Sequence, residues 1–150
     1  MMTTGPISDG NAPGAASTEE EVRVLLIEDD PQTAEMYGLK LELDGYTVIR
    51  AVDGEEGLEL ARATIPDIIF LDIRLPKMDG FAVLEALRAD ETLRHVPVII
   101  LSNYGEAEMI ERGKTLGALD YLVKAETPPA SLSGGLEKWV PRGSKKREKE

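Results

Sequence analysis

Apolar runs of strand length recur along this chain, and the stretches between them switch to helical spacing. Val22–Ile27 is rich in branched residues, as expected of a strand covered on both faces. Tyr46–Ala51 is a less apolar second strand, followed by Ile68–Leu71, Val98–Leu101 and Leu119–Val123. Between them, Pro31 suits the first turn of a helix with Ala34, Tyr37, Leu41 and Leu43 as its inward stripe, ended by Gly45. Asp53 caps a second helix reaching Ala63, with Leu58 and Ala61 inward. Asp79-Gly80 opens a third through Arg88, carrying Phe81, Leu84 and Leu87. A fourth crosses Glu106–Leu116 and stops at Gly117, and Thr127-Pro128 caps a fifth bearing Leu132, Leu136 and Val140.

Strand alternating with helix predicts an α/β fold with a parallel sheet and helices on both faces. Ligands of such sheets bind beyond the carboxyl ends of the strands, beside the point where strand order reverses. In this chain those ends carry polar groups. The first strand stops at Glu28-Asp29-Asp30, the third at Asp72, the fourth at Ser102 and the fifth at Lys124. Parallel neighbours would bring these groups to one edge.

Composition narrows the chemistry. One hundred and fifty residues suit one domain and leave no room for a second. The absence of cysteine excludes disulfides, thiolate metal sites and cysteine nucleophiles. A net charge of -11 argues against nucleic-acid binding, which needs a basic footprint. There is no signal-peptide pattern and no apolar run of the ~20 residues that span a bilayer, so no membrane partner and a cytoplasmic location are expected. Residues 1–20 read as a disordered leader, residues 21–140 as the folded domain, and residues 141–150 as a charged, solvated tail.

The acids at the strand ends would repel one another unless a divalent cation joined them, and magnesium suits an all-oxygen set. Asp72 is the candidate nucleophile, able to take a phosphoryl group as an acyl phosphate. Lys124 and the Ser102 hydroxyl are placed to bind the transferred oxygens. Simpler roles exist for each: Asp29 or Asp30 as helix cap, Lys124 as salt-bridge partner, Ser102 as turn residue. Gly113-Lys114-Thr115 lacks the upstream glycine and strand of a P-loop, and His95 sits in a loop with no metal-ligand set around it.

Taken together, IEDDP, FLDIRLPKMDG, VIILSN and LGALDYLVK resemble the receiver domains of two-component response regulators over about residues 22–140. The resemblance implies a flavodoxin-like, doubly wound five-stranded sheet of order 2-1-3-4-5. It implies Asp72 as phosphoacceptor, and a Mg2+ site of Asp29, Glu28 acting through water, Asp72 and the backbone carbonyl of Arg74. Lys124 takes the phosphate-binding role, Ser102 that of switch hydroxyl and Tyr121 that of switch aromatic. The implied donor is a phosphohistidine on a sensor histidine kinase or histidine phosphotransfer protein. The implied output is a protein contact on the face of the fourth helix, fifth strand and fifth helix. The expectation is a stand-alone regulator; the alternative is a pseudo-receiver, an unphosphorylated interaction module. A haloacid dehalogenase-like hydrolase is disfavoured because Arg74 stands where its second acid belongs.

Three departures from the family pattern shape further expectations. Ala125 follows the lysine in place of the usual cis-proline, which predicts a trans Lys124–Ala125 bond and a rearranged loop. Ser133-Gly134-Gly135 predicts a locally weak fifth helix. Asn103 and the bulky Tyr104 follow the switch hydroxyl, and Tyr104 with Arg74 opposite is expected to tune phosphoryl loss by shielding the group from water.

Overall fold

The computed structural model describes residues 21–140; the leader expected over 1–20 and the tail expected over 141–150 lie outside the described residues. The elements are β1 (Arg23–Ile27), α1 (Pro31–Leu43), β2 (Thr47–Ala51), α2 (Gly54–Thr64), β3 (Ile68–Leu71), α3 (Gly80–Ala89), β4 (Val98–Ser102), α4 (Ala107–Thr115), β5 (Asp120–Val123) and α5 (Pro129–Trp139). They agree with the expected elements to within a residue or two.

The strands form one parallel sheet in the order β2-β1-β3-β4-β5. From β1 the chain first moves outward to β2, then crosses back past β1 to β3 and continues to β5. Right-handed crossovers in opposite directions place their helices on opposite faces. Alternation along the strands then builds two cores. Val24, Leu26, Ile68, Phe70, Ile99 and Leu101 meet Ala34, Tyr37 and Leu41 of α1 and Leu132 and Leu136 of α5. Leu25, Ile27, Ile69, Leu71, Val98 and Ile100 meet side chains of α2 and α3, with Met109 and Ile110 of α4 packed alongside. Burying one such Leu or Ile side chain contributes ~1.5–3 kcal/mol before entropy is counted.

Capping follows the sequence at three helices. Asp30, Asp53 and Asp79 accept from the amides of Thr33, Glu56 and Ala82 at the starts of α1, α2 and α3. Elsewhere the structure corrects the expectation. Leu43 is 81% exposed rather than inward, because Leu41 already fills the sheet-facing position at the end of α1. Thr127 does not cap α5, since its hydroxyl donates back to the Val123 carbonyl at 2.8 Å. As for Ser133-Gly134-Gly135, α5 runs from Pro129 to Trp139 with all three inside it, which leaves the expected local weakness standing. A Cβ on Gly135 would come within 2.8 Å of the Trp139 ring, so this glycine makes room for a tryptophan that meets Phe70 edge-on. Ser133 adds a hydrogen bond from its hydroxyl to Asp44.

Candidate functional site

The order of strands reverses between β1 and β3, and backbone pairing continues one residue past both. The Glu28 amide donates to the Ala51 carbonyl at 3.0 Å, and the Asp72 amide to the Ile27 carbonyl at 3.1 Å. This extension sets Glu28 and Asp72 side by side at the carboxyl edge. One carboxylate oxygen from each of Glu28, Asp29 and Asp72 lies within 4.8 Å of the others. Glu28 and Asp72 are buried and Asp29 is exposed, so the trio has a sheltered side and an open side.

Each buried acid is held from two directions. Asp72 Oδ1 accepts from the Ile73 amide at 2.7 Å, and Oδ2 from Lys124 Nζ at 3.1 Å. Glu28 Oε2 accepts from the Asp30 amide at 3.0 Å, while Oε1 lies 2.7 Å from Lys124 Nζ. Burial pushes the Glu28 carboxyl above its ordinary range, despite the lysine beside it. Burial would lower the pKa of Lys124, but Glu28 and Asp72 outweigh it and raise the net value, so the ammonium stays charged. Asp30 belongs to the helix cap instead, and the two neighbouring acids therefore divide the work: Asp29 faces the cluster and Asp30 holds α1.

The loop after β3 folds back tightly to keep this edge open. The Gly80 amide donates to the Ile73 carbonyl at 2.8 Å, and a Cβ there would come within 2.2 Å of the Asp72 carbonyl, so only glycine passes. Pro76 accepts from the Met78 amide at 2.7 Å around Lys77, whose φ is 71°, a rare γ-turn geometry. Arg74, in the same loop, places its guanidinium 4.6 Å from the centre of the Tyr104 ring, which bridges the loops after β3 and β4.

Ser102 is fully buried, and its hydroxyl accepts from the Tyr104 amide at 3.1 Å. Tyr121 is turned inward, 8% exposed, with its hydroxyl donating to the Tyr104 carbonyl. A Cβ on Gly113 would meet the Ile100 side chain at 2.6 Å and this ring at 3.2 Å, so the glycine lets α4 pack closely over both. Asn103 is exposed, as is His95, which belongs to no cluster of possible metal ligands among the described residues.

The Lys124–Ala125 peptide is trans, as expected, since there is no cis bond among the described residues. The loop is a single 3-10 turn over Lys124–Glu126. Even so, the lysine reaches both buried acids. Two participants escaped the sequence reading, Tyr37 and Thr127, because each looked like a core or capping position. The one available signal was that a buried tyrosine hydroxyl needs a hydrogen-bond partner; Tyr37 finds the Thr127 carbonyl at 2.6 Å.

The sequence and the fold are similar to those of known proteins. Residues 24–132 match the response regulator receiver domain family. The DNA-binding dual master transcriptional regulator RpaA of Synechocystis is 44% identical over 102 residues, covering 68% of this chain but 42% of the regulator. The chain thus spans less than half the length of that relative. The polar-differentiation response regulator DivK of Brucella ovis is 37% identical over 109 residues, 71% of this chain and 86% of DivK. Among solved structures, the chemotaxis protein CheY4 of Vibrio cholerae superposes with a TM-score of 0.75 at 30% identity, over 80% of this chain and 99% of CheY4.

Proposed function

Because this chain belongs to the response regulator receiver domain family, we propose that it accepts a phosphoryl group on Asp72 from a phosphohistidine and signals through a conformational switch. The observation that carries this is the meeting of the three carboxylates with the Lys124 ammonium at the edge of the sheet. The donor is a sensor histidine kinase or a histidine phosphotransfer protein, and the receiver works in the cytoplasm.

In the proposed reaction an Asp72 oxygen attacks phosphorus while the bond from phosphorus to the donor's histidine nitrogen breaks, that nitrogen leaving with the electron pair. Lys124 stays within hydrogen-bond range of Asp72, where it offsets negative charge on the transferred group. The residues present fit Mg2+: an all-oxygen set of Glu28, Asp29, Asp72 and the Arg74 backbone carbonyl would hold it, one of the acids being exposed for exchange with solvent. Bound there, it supplies Lewis-acid neutralisation of phosphoryl charge.

The switch follows from what Ser102 and Tyr121 share. Both meet the backbone of Tyr104, Ser102 at its amide and Tyr121 at its carbonyl. A phosphoryl group on Asp72 offers the Ser102 hydroxyl a charged acceptor, drawing it toward the acid and repositioning the loop after β4. Tyr121 follows through its bond to the Tyr104 carbonyl, and the α4-β5-α5 face changes for a downstream protein partner. Moving such an equilibrium from 1:99 to 99:1 requires ~5.5 kcal/mol of differential contact. Tyr104, under the Arg74 guanidinium and next to Asn103, tunes the lifetime of the state by limiting water access.

Transfer from a radiolabelled histidine phosphotransfer protein tests the proposal. Label should move to this chain with Mg2+ and stay on the donor with EDTA. Transfer that ignores EDTA, or fails under both conditions, overturns it.

A further inference from the structure

Lys124 stands one residue beyond Val123, the last β5 position paired with β4 at Ser102. The sheet therefore does not fix where the lysine goes. The chain leaves through the single 3-10 turn of Lys124–Glu126, none of whose residues is buried, and no side chain caps its start. Ala125 and Glu126 are exposed and add little packing, so beyond the Lys124 side chain, 12% exposed and paired with Glu28 and Asp72, the turn needs an anchor for its backbone. What ties it down is Thr127, which is buried. Its amide donates to the Lys124 carbonyl at 3.1 Å and its hydroxyl to the Val123 carbonyl at 2.8 Å, closing the turn on itself. The Thr127 carbonyl accepts from the Tyr37 hydroxyl at 2.6 Å, across 90 residues of sequence.

That last bond joins the turn to the opposite end of the site. Tyr37 is 2% exposed and lies on α1, whose first turn begins directly after the Glu28–Asp30 cluster. The same helix thus starts at the acids and secures the turn that carries their cation. Burial raises the Tyr37 pKa, keeping the hydroxyl in its donating form.

We infer that Tyr37 is a positioning residue for Lys124: through the Thr127 carbonyl its hydroxyl fixes the turn and holds the ammonium between Glu28 and Asp72. The part this plays in the reaction rests on the proposed role of Asp72 as phosphoacceptor. A displacement of about 1 Å can cost a reaction up to ~10²-fold, so a longer tether to a loosened turn is a sizeable loss.

Tyr37→Phe keeps the ring and removes the hydroxyl. Two readouts follow it. The first is the NMR resonance of the Lys124 ammonium in magnesium-free protein, distinct and protected in the wild type. It should collapse onto the solvated lysines in Tyr37→Phe. The second is phosphoryl uptake from a small phosphodonor with Mg2+, which should slow by roughly tenfold. That slowing should disappear when both proteins also carry Lys124→Ala. An unchanged ammonium resonance in a folded Tyr37→Phe, or an equal slowing in the Lys124→Ala background, overturns the positioning role. Failure of the wild type to take up phosphoryl overturns the role of Asp72 instead, while the resonance still decides on Tyr37. Should Tyr37→Phe not fold, Thr127→Val loosens the same turn by removing the bond to Val123 and is read in the same two ways.

Discussion

Lys124 Nζ lies closer to Glu28 Oε1, at 2.7 Å, than to Asp72 Oδ2, at 3.1 Å. The lysine is therefore as much a strut for the acid cluster as a ligand for a phosphoryl group. Both partners are largely withdrawn from water, their side chains 12% and 2% exposed for Lys124 and Glu28. Breaking such a pair leaves a buried carboxylate without its counter-charge, which costs more than the pair itself contributes.

Lys124→Met should accordingly destabilise the magnesium-free protein by about 2–3 kcal/mol. Added Mg2+ should recover part of the loss by bringing another positive charge to the same acids. Urea unfolding with EDTA and with Mg2+ measures both effects; an unchanged midpoint in EDTA would refute the strut role.

The raised pKa of Glu28 makes the proton a competitor for the cation site. The sign is fixed by the shift. A carboxyl with a raised pKa holds its proton to higher pH than an ordinary one. Mg2+ affinity should therefore start to fall at higher pH, as the solution is acidified, than a normal carboxylate would dictate. Calorimetric titration at several pH values should show this slope in the wild type and a weaker, flatter response in Glu28→Gln. Identical profiles would remove Glu28 from the site.

The stacking of Arg74 on Tyr104 predicts a longer-lived phosphoryl state. Tyr104→Ala should lose the group about two- to five-fold faster, the rate equivalent of ~0.5–1 kcal/mol for an exposed cation–π contact. Phosphoryl decay followed by mass spectrometry checks it. Decay in the wild type that is no slower than in Tyr104→Ala would sink the shielding idea.

The sequence carried the sheet and the cluster because both are set by local patterns. Continuous apolar runs such as Ile68–Leu71 declare doubly covered strands, and polar residues at their ends fall at one edge once the strands are parallel. What the sequence hid was tertiary. The Tyr37 hydroxyl finds its acceptor 90 residues away, where no local pattern points. Leu43 looks like a continuation of the apolar residues of α1 but faces solvent, since it lies two residues past Leu41 and so on the other side of the helix.

Backbone strain gives a prediction away from the site. Ile65 ends α2 in the left-handed region, φ 45°, where a branched side chain is unfavourable by ~1–2 kcal/mol. It is 41% exposed, so its burial offsets little of that cost. Ile65→Asn, which tolerates this conformation, should stabilise the fold by about 0.5–1 kcal/mol and raise the urea midpoint without altering phosphoryl uptake. A lowered midpoint would show that the isoleucine packs more than it strains.

The central claim is that Asp72 takes the phosphoryl group. Intact-mass analysis after incubation with Mg2+ and a small phosphodonor addresses it directly, with the wild type beside Asp72→Asn. The wild type should gain the mass of a single phosphoryl group, removable with hydroxylamine as an acyl phosphate requires, and Asp72→Asn should gain none. Equal gain by both proteins, or no gain by the wild type, would contradict the account.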